Sequence, residues 1–262
     1  MDVDWSPAQY QRFAAQRALP FHDLLALVQP ADFHRGIDLG CGPGELTALA
    51  TQRLDVAEML GIDNSLAMLE SAARWATPHL RFAAGDIDTW TADHDHDLVL
   101  ASASLQWVPD HPALLARLTE ALGAGGQLLV QVPANSNMPS HRVATDLANS
   151  ATYSDAFGPQ GPPPDPVAEN VLQPEQYSQL LFDLGFEQQH VRLQVYPHVL
   201  PTTAAIVEWT RGTTLTRFQK LCPPDVFAQF VTDYEQQLVD LLGDARPQFF
   251  PFRRILMWGR MP

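Results

Sequence analysis

The stretch Gly36-Ile37-Asp38-Leu39-Gly40-Cys41-Gly42-Pro43-Gly44-Glu45 decides how this chain of 262 residues is read. A short apolar run carrying Asp38 gives way to three glycines at alternate positions, and a helical pattern follows from Gly44. Between a strand and a helix, glycines let the backbone turn tightly and come close to a ligand where a Cβ would stand in the way. The stretch therefore predicts a binding loop. Its spacing, Asp-x-Gly-x-Gly-x-Gly, differs from the Gly-x-Gly-x-x-Gly that seats a pyrophosphate on a helix N-terminus, and no Gly-Lys-Ser/Thr follows to make a phosphate loop. Asp38 is suited to hold an ammonium group, and the glycine backbone to pack along a thioether chain that carries no phosphate.

Two further acidic residues stand at comparable places downstream. Asp63, in Gly61-Ile62-Asp63-Asn64-Ser65, follows Gly44 by 19 residues, near the interval expected for a carboxylate that accepts from both hydroxyls of a ribose. Asp86, in Gly85-Asp86-Ile87, either accepts from an exocyclic adenine amine with Ile87 covering the ring, or caps a turn. Open α/β sheets bind ligands at the carboxyl ends of their strands, so these three strand ends are expected to converge on one crevice.

The surrounding pattern agrees, because short apolar runs alternate with helical periodicity between Gly36 and Pro133. Strands are predicted at 35–39, 56–62, 79–83, 97–102 and 127–132. Helices are predicted at 44–53, 65–75 and 111–122, the last closed by Gly123. Ahead of them two helices are expected, at 6–16 and 21–28, the second ending near Pro30. Beyond Pro133, helices are read at 139–150, 174–184, 202–210 and 224–242, with strands at 186–196 and 252–261. The segment 157–166, written FGPQGPPPDP, is read as a loop.

Composition bounds the function. With 46% hydrophobic and 18% charged residues the chain suits a folded, enzyme-sized body. Its formal charge of -14, from 30 acidic against 16 basic residues, opposes nucleic acid and anionic lipid as partners. A local basic pocket for a small anion stays compatible with that charge. The start Met1-Asp2-Val3-Asp4 does not read as a signal peptide, and apolar runs such as 24–28 fall far short of the roughly 20 residues a membrane span needs. Cys41 and Cys222 are the only cysteines, which excludes a disulfide framework and favours a cytoplasmic protein. The run His94-Asp95-His96-Asp97 contains metal-ligand residue types but reads as a solvated turn, and no metal is assigned. Cys41 is read as a small side chain packed beside a cofactor, not as a reactive thiolate.

With its three motifs in order, the sequence resembles the class I S-adenosylmethionine-dependent methyltransferases, and within them the trans-aconitate methyltransferase family. The closer resemblance rests on Trp5-Ser6-Pro7-Ala8-Gln9-Tyr10 with Arg17, the glycine stretch, Gly61-Ile62-Asp63 with Ser65 and Met68, and the run from Ala103 to His111, ASLQWVPDH. It continues through Pro139-Ser140-His141, Tyr196 with His198, Glu208-Trp209, and Phe250-Pro251-Phe252-Arg253-Arg254. The resemblance implies a doubly wound, mainly parallel, seven-stranded α/β sheet whose last strand runs antiparallel. It also implies one domain over 1–262, with a helical cap contributed by 1–30, 134–172 and 201–247.

The implied cofactor is S-adenosylmethionine, held by Asp38, Gly40, Cys41, Gly42, Gly44, Asp63, Asn64, Met68, Asp86, Ile87, Ser102 and Ala103. The implied reaction forms a monomethyl ester on one carboxylate of a small tricarboxylic acid and releases S-adenosylhomocysteine. Such a carboxylate is already ionised at pH 7, so no catalytic acid or base is named and orientation carries the chemistry. Arg17, His141, Arg253 and Arg254 are the candidate carboxylate donors, with Arg17 equally suited to the methionine carboxylate. Strand alternation lets only one of Arg253 and Arg254 face inward. Tyr10, Gln106, Trp107 and Trp209 are candidate walls, the two tryptophans being core aromatics on the plainer reading. A monomer is expected. The alternatives are the same fold acting on a thioester carboxylate or a hydroxyl, the latter needing His111 or His141 as a base, and a cofactor-binding protein that transfers nothing.

Overall fold

A computed structural model describes the backbone from Ala14 and the side chains from Ala18 to the C-terminus. In it the quoted stretch is strand, glycine turn and helix in that order. Helix α1 spans Ala14–Leu25, strand β1 Arg35–Leu39, helix α2 Glu45–Leu54, β2 Glu58–Asp63, α3 Leu66–Ala72, β3 Leu80–Ala84, β4 His96–Ser102, α4 His111–Glu120 and β5 Leu122–Pro133. There follow α5 (Pro139–Ala148), α6 (Pro166–Asn170), α7 (Pro174–Asp183), β6 (Gln188–Leu200), α8 (Ala204–Arg211), α9 (Thr216–Gln219), α10 (Pro224–Leu242) and β7 (Gln248–Arg260).

The seven strands form one sheet in the order β3-β2-β1-β4-β5-β7-β6. Strands β1 to β5 pair in parallel, and β7 pairs antiparallel with β5, setting Arg260 opposite Gln127 and Arg254 opposite Pro133. This is the doubly wound, mainly parallel sheet expected, with its last strand reversed. Leu98, Val99 and Leu100 of β4 and Leu128, Leu129 and Val130 of β5 are fully buried. Such continuous burial on both strand faces is what helices packed on either side of a parallel sheet produce. The connections run outward in opposite directions from β1 and β4, and at that switch the carboxyl ends of the strands leave a crevice.

Several boundaries correct the sequence reading. The described N-terminal helix does not begin anew at Phe21 but runs through Pro20. Phe21, Leu24 and Leu25 beyond the proline are buried in the sheet core with Phe33, Met59, Leu98, Leu129 and Trp258. At about 1.5–3 kcal/mol for each buried apolar side chain, their burial outweighs the roughly 3 kcal/mol that a proline costs inside a helix. Gly123 does not cap the helix before it: α4 ends at Glu120 and β5 already starts at Leu122. There Leu122 pairs with His96 and Gln127 with Leu98, so a bulge absorbs the glycine-rich residues 123–126. Strands β6 and β7 are longer than their alternation suggested, and the short helices α6 and α9 and the 3-10 turn Leu105–Trp107 went unread. The remaining expected helix, at 6–16, lies mostly outside the described residues.

The chain divides into two compact units. The first contains the residues up to Pro133 together with Asn170–Gln194 and Arg253–Pro262; the second contains Ala134–Glu169 and Val195–Phe252. Within the first, buried Gln127 bonds Gln29 at both backbone N and O and accepts from Trp258 Nε1 at 2.7 Å, which ties the segment after α1 to β5 and β7. Within the second, Tyr234 of α10 donates to Ser140 O at 2.8 Å, and Phe157, Phe218 and Phe230 pack ring to ring. There Arg217 and Asp165 form a buried ion pair at 3.5 Å, and Arg217 also donates to Thr145 Oγ1 at 2.7 Å. Among the described residues, no helix is long and apolar enough to cross a membrane.

Candidate functional site

The glycine loop leaves β1 in left-handed backbone, with φ of 79° at Gly40, 54° at Gly42 and 79° at Gly44. The three glycines serve different ends. A Cβ on Gly40 would stand 2.4 Å from Ser104 Cβ, and one on Gly44 would stand 2.8 Å from Ala72 Cβ and Phe82 Cζ, so both allow close packing. Among the described residues a Cβ on Gly42 would meet nothing within 4 Å, so that backbone is free to lie along a ligand. The loop is folded onto β2: Gly40 N and Cys41 N both donate to Ile62 O, and Gly42 N donates to Asp63 Oδ2 at 2.9 Å.

Asp38 is 3% exposed. Its Oδ2 accepts from Thr47 Oγ1 at 2.6 Å, while its Oδ1 is buried with no hydrogen-bond partner among the described residues. Burial pushes its pKa up to about 7, against the Thr47 hydrogen bond and with a smaller push from the Asp63 charge. An ammonium donor would satisfy Oδ1 and favour the ionised form. Asp63 is half-buried, and each of its oxygens accepts a backbone N–H, Oδ1 from Ser65 and Oδ2 from Gly42. Burial raises its pKa against backbone hydrogen bonds from Ser65, Gly42 and Asn64, and the carboxylate, with about four acceptor positions, keeps room for a hydroxyl donor. An orphaned carboxylate oxygen, a second carboxylate with spare lone pairs and an open glycine between them fit the ammonium, ribose and thioether parts of an adenosyl sulfonium donor. Burial also pushes the Cys41 thiol up, in keeping with an inert packing residue.

The neighbouring strand ends meet the same edge. Gly85 N donates to Asp63 O at 3.1 Å, and the Ile87 side chain lies 3.5 Å from where a Cβ on Gly40 would stand. Asp86 is exposed; its Oδ1 accepts from Asp88 N and its carbonyl from Trp90 N, so it closes a turn, as the plainer reading expected. Asn64 is exposed, and Met68 is buried on α3. Ser102 accepts from Gln131 Nε2 at 3.0 Å. Ala103 adopts φ 57°, a strained value for a residue with a Cβ, and Ser104 Oγ then donates to Leu39 O at 2.6 Å. The 3-10 turn that follows places Gln106 in a buried position, its Nε2 on Ala103 O, and leaves Trp107 39% exposed. Thr47 and Ser104 went unread as site residues, although a polar Thr47 three residues from the equally buried Ala50 was a legible signal on α2.

Of the remaining acceptor candidates, two lie on β7 in the first unit, two in the second unit and two outside the described side chains. Arg254 is buried opposite Pro133, at the carboxyl end of β5, and the half-buried Arg253 points to the other face of β7. His141 and Trp209 belong to the second unit. There His141 is buried, with Nδ1 3.1 Å from Ser140 Oγ, and Trp209 is 1% exposed among His198, Phe250 and Phe252. Tyr10 lies outside the described residues; Arg17 lies in α1, but its side chain is not among those described. The run at 94–97 is only partly the solvated turn expected: His96 and Asp97 begin β4 and His96 is buried, while Asp95 pairs with Arg35 and with His96, and Asp97 accepts from the backbone N–H groups of His34 and Arg35.

Comparison with known proteins agrees with this geometry. A family model described as a methyltransferase domain matches residues 37–126. The chain is 40% identical to a trans-aconitate 2-methyltransferase of Deinococcus radiodurans, covering 99% of both proteins. It is 38% identical to the protein of that name from Variovorax paradoxus, covering 99% of this chain and 96% of the relative. Among solved structures, the YcgJ protein of Bacillus subtilis superposes with a TM-score of 0.59 at 18% identity, covering 92% of this chain and 97% of its own. Phosphoethanolamine N-methyltransferase 2 of Haemonchus contortus, solved with S-adenosyl-L-methionine, gives 0.55 at 17% identity, covering 92% of this chain and 52% of its own. The match at 38–40% identity along almost the whole chain makes this protein a member of the trans-aconitate methyltransferase family of S-adenosylmethionine-dependent enzymes.

Proposed function

We propose that this protein transfers a methyl group from S-adenosylmethionine to one carboxylate of trans-aconitate, giving a monomethyl ester and S-adenosylhomocysteine. The observation that carries the reading is 38–40% identity over nearly the full length to relatives named for that activity. When bound, the cofactor supplies an electrophilic methyl group on a sulfonium. Asp38 would hold its ammonium, Asp63 its ribose hydroxyls, and the backbone at Gly42 would lie along its chain. Ile87 and Met68 are assigned to the adenine, and Asn64, Ser102 and Ala103 to the rim of the same crevice. For the acceptor we assign Gln106 and Trp107 as walls and Arg254 as carboxylate donor, with His141, Trp209 and Arg253 as further candidates.

The acceptor oxygen is already an anion at neutral pH, so the residues have to orient it and exclude water instead of removing a proton. Supporting this, His111 has both ring nitrogens engaged and is 1% exposed, which unsuits it as a base for a hydroxyl acceptor. With this reading go a cytoplasmic monomer and a small anionic acid as partner.

Incubation with methyl-labelled donor and a panel of small carboxylic acids tests it. Ester formation on trans-aconitate is expected; label appearing only on other acceptors overturns the substrate, and cofactor uptake without turnover overturns the activity.

A further inference from the structure

His111 opens α4 immediately beyond the turn that carries Gln106 and Trp107. Its Nε2 lies 2.9 Å from Leu105 O, and its Nδ1 meets the hydroxyl of Tyr177 on α7. A carbonyl only accepts, so Nε2 bears the proton, and the neutral ring then offers Nδ1 as the acceptor that the Tyr177 hydroxyl fills. Tyr177 Oη in turn accepts from Leu172 N at 3.2 Å. Donation therefore runs one way, from Leu172 N–H to Tyr177, from Tyr177 to His111, and from His111 to Leu105 O. His111 is 1% exposed and Tyr177 fully buried, so no water stands ready to replace a lost partner. Burial holds the imidazole below its ordinary pKa, in the neutral form this chain of bonds requires.

The turn needs such support. On either side of it a residue with a Cβ sits in left-handed backbone, Ala103 at φ 57° and Asp110 at φ 53°. Leu105 O accepts from both Val108 N and His111 Nε2, and Gln106 O accepts from Asn170 Nδ2 at 2.9 Å. On its other side the turn is seated on the glycine loop through Ser104.

We propose that His111 and Tyr177 are positioning residues for the methyl acceptor: by fixing the Leu105 carbonyl they set where Gln106 and Trp107 stand at the carboxyl edge of the sheet. The assignment rests on the reading of Gln106 and Trp107 as acceptor-lining residues. It gives the histidine of the ASLQWVPDH run a role that is neither a base nor a ligand.

The full chain carrying Tyr177→Phe, His111→Ala or His111→Gln tests it. Gln keeps an N–H able to reach Leu105 O, whereas Ala keeps none. In Tyr177→Phe and His111→Ala the KM for the acceptor should rise about tenfold or more, since small misplacements of an aligned group carry penalties of that order. The Kd for S-adenosylhomocysteine should stay at the wild-type value, and His111→Gln should recover part of the loss. Hydrogen exchange should quicken at the amides of Trp107 and Val108 while those of Gly42 and Ala48 keep their wild-type rates. Cofactor affinity falling in step with acceptor KM, or unchanged exchange at Trp107 and Val108, overturns the proposal. If the wild type does not methylate trans-aconitate, the acceptor reading fails, and the exchange measurement, which needs no substrate, still decides whether the pair holds the turn. Should Tyr177→Phe not fold, His111→Gln against His111→Ala carries the same comparison.

Discussion

At Asp38 one carboxyl oxygen is satisfied by Thr47, and the other, buried, has no donor among the described residues. With its folded pKa raised from 3.8 to about 7, the native protein keeps a proton that the unfolded chain releases. The resulting stabilisation is fully present below pH 3.8 and is lost as pH rises through about 7. Thermal melts of ligand-free Asp38→Asn protein should therefore lack this decline. An ammonium ligand favours the ionised carboxylate, so cofactor affinity should climb through pH 7 with release of a proton, which calorimetry in buffers of different ionisation heat will count. Asp38→Asn should weaken that affinity about 10- to 100-fold, the worth of a charged hydrogen bond. Gly42 and Gly40 separate binding from folding. Gly42→Ala meets no described residue and costs about 1–2 kcal/mol of left-handed strain, so cofactor affinity should suffer more than stability; Gly40→Ala drives a Cβ into Ser104 and should lower the melting temperature first.

The glycine loop is presented correctly only because β1, β4 and β5 hold their register, and Gln127 is central to that. It stands in β5 just past the bulge, fully buried, and satisfies both Gln29 and Trp258. Gln127→Ala leaves the Trp258 indole N–H and the Gln29 backbone without partners. We expect a loss of about 1–3 kcal/mol, read in urea unfolding, and a fall in Tm of about 2–4 °C for each kcal/mol. Gln127→Glu should be no remedy, because it would place an unpaired carboxylate in the core.

Long-range packing differs between the two compact units. The first is a sheet whose helices bury aliphatic residues; the second depends on aromatic contacts and on Arg217, a cation nine-tenths buried beside Asp165 and over the Phe218 ring. Asp165 also accepts from Val167 N, so one carboxylate ends the proline-rich loop, starts α6 and neutralises Arg217. Asp165→Asn strands a buried cation, at a cost of about 3–5 kcal/mol. Native-state hydrogen exchange should then quicken across Ala134–Glu169 and Val195–Phe252 while the amides of β1 and β4 keep their slow rates. Combining it with Arg217→Met should restore most of the loss, since no uncompensated charge remains.

Local chemistry was enough to read the strand-to-helix turn at Asp38, the carboxylate at Asp63, and the limits of β1 and of α10, whereas the reversal of the final strand came only from the family resemblance. Each local reading is signalled by residues within a few positions of one another, through glycine spacing, apolar period or a proline at a helix start. Where two segments compete for the same residues, the period misled: Leu122 and Gly123 look like the end of a helix until His96 offers a strand partner, and Pro20 looks like a break until Phe21 and Leu24 find a core. Nothing in the local pattern links His111 to Tyr177, 66 positions away, or Arg217 to Thr145, 72 away. A side chain's hydrogen-bond partner and the burial that strengthens the bond are set by the folded chain as a whole, so the positioning pair, the orphaned oxygen of Asp38 and the buried ion pair became visible only in three dimensions.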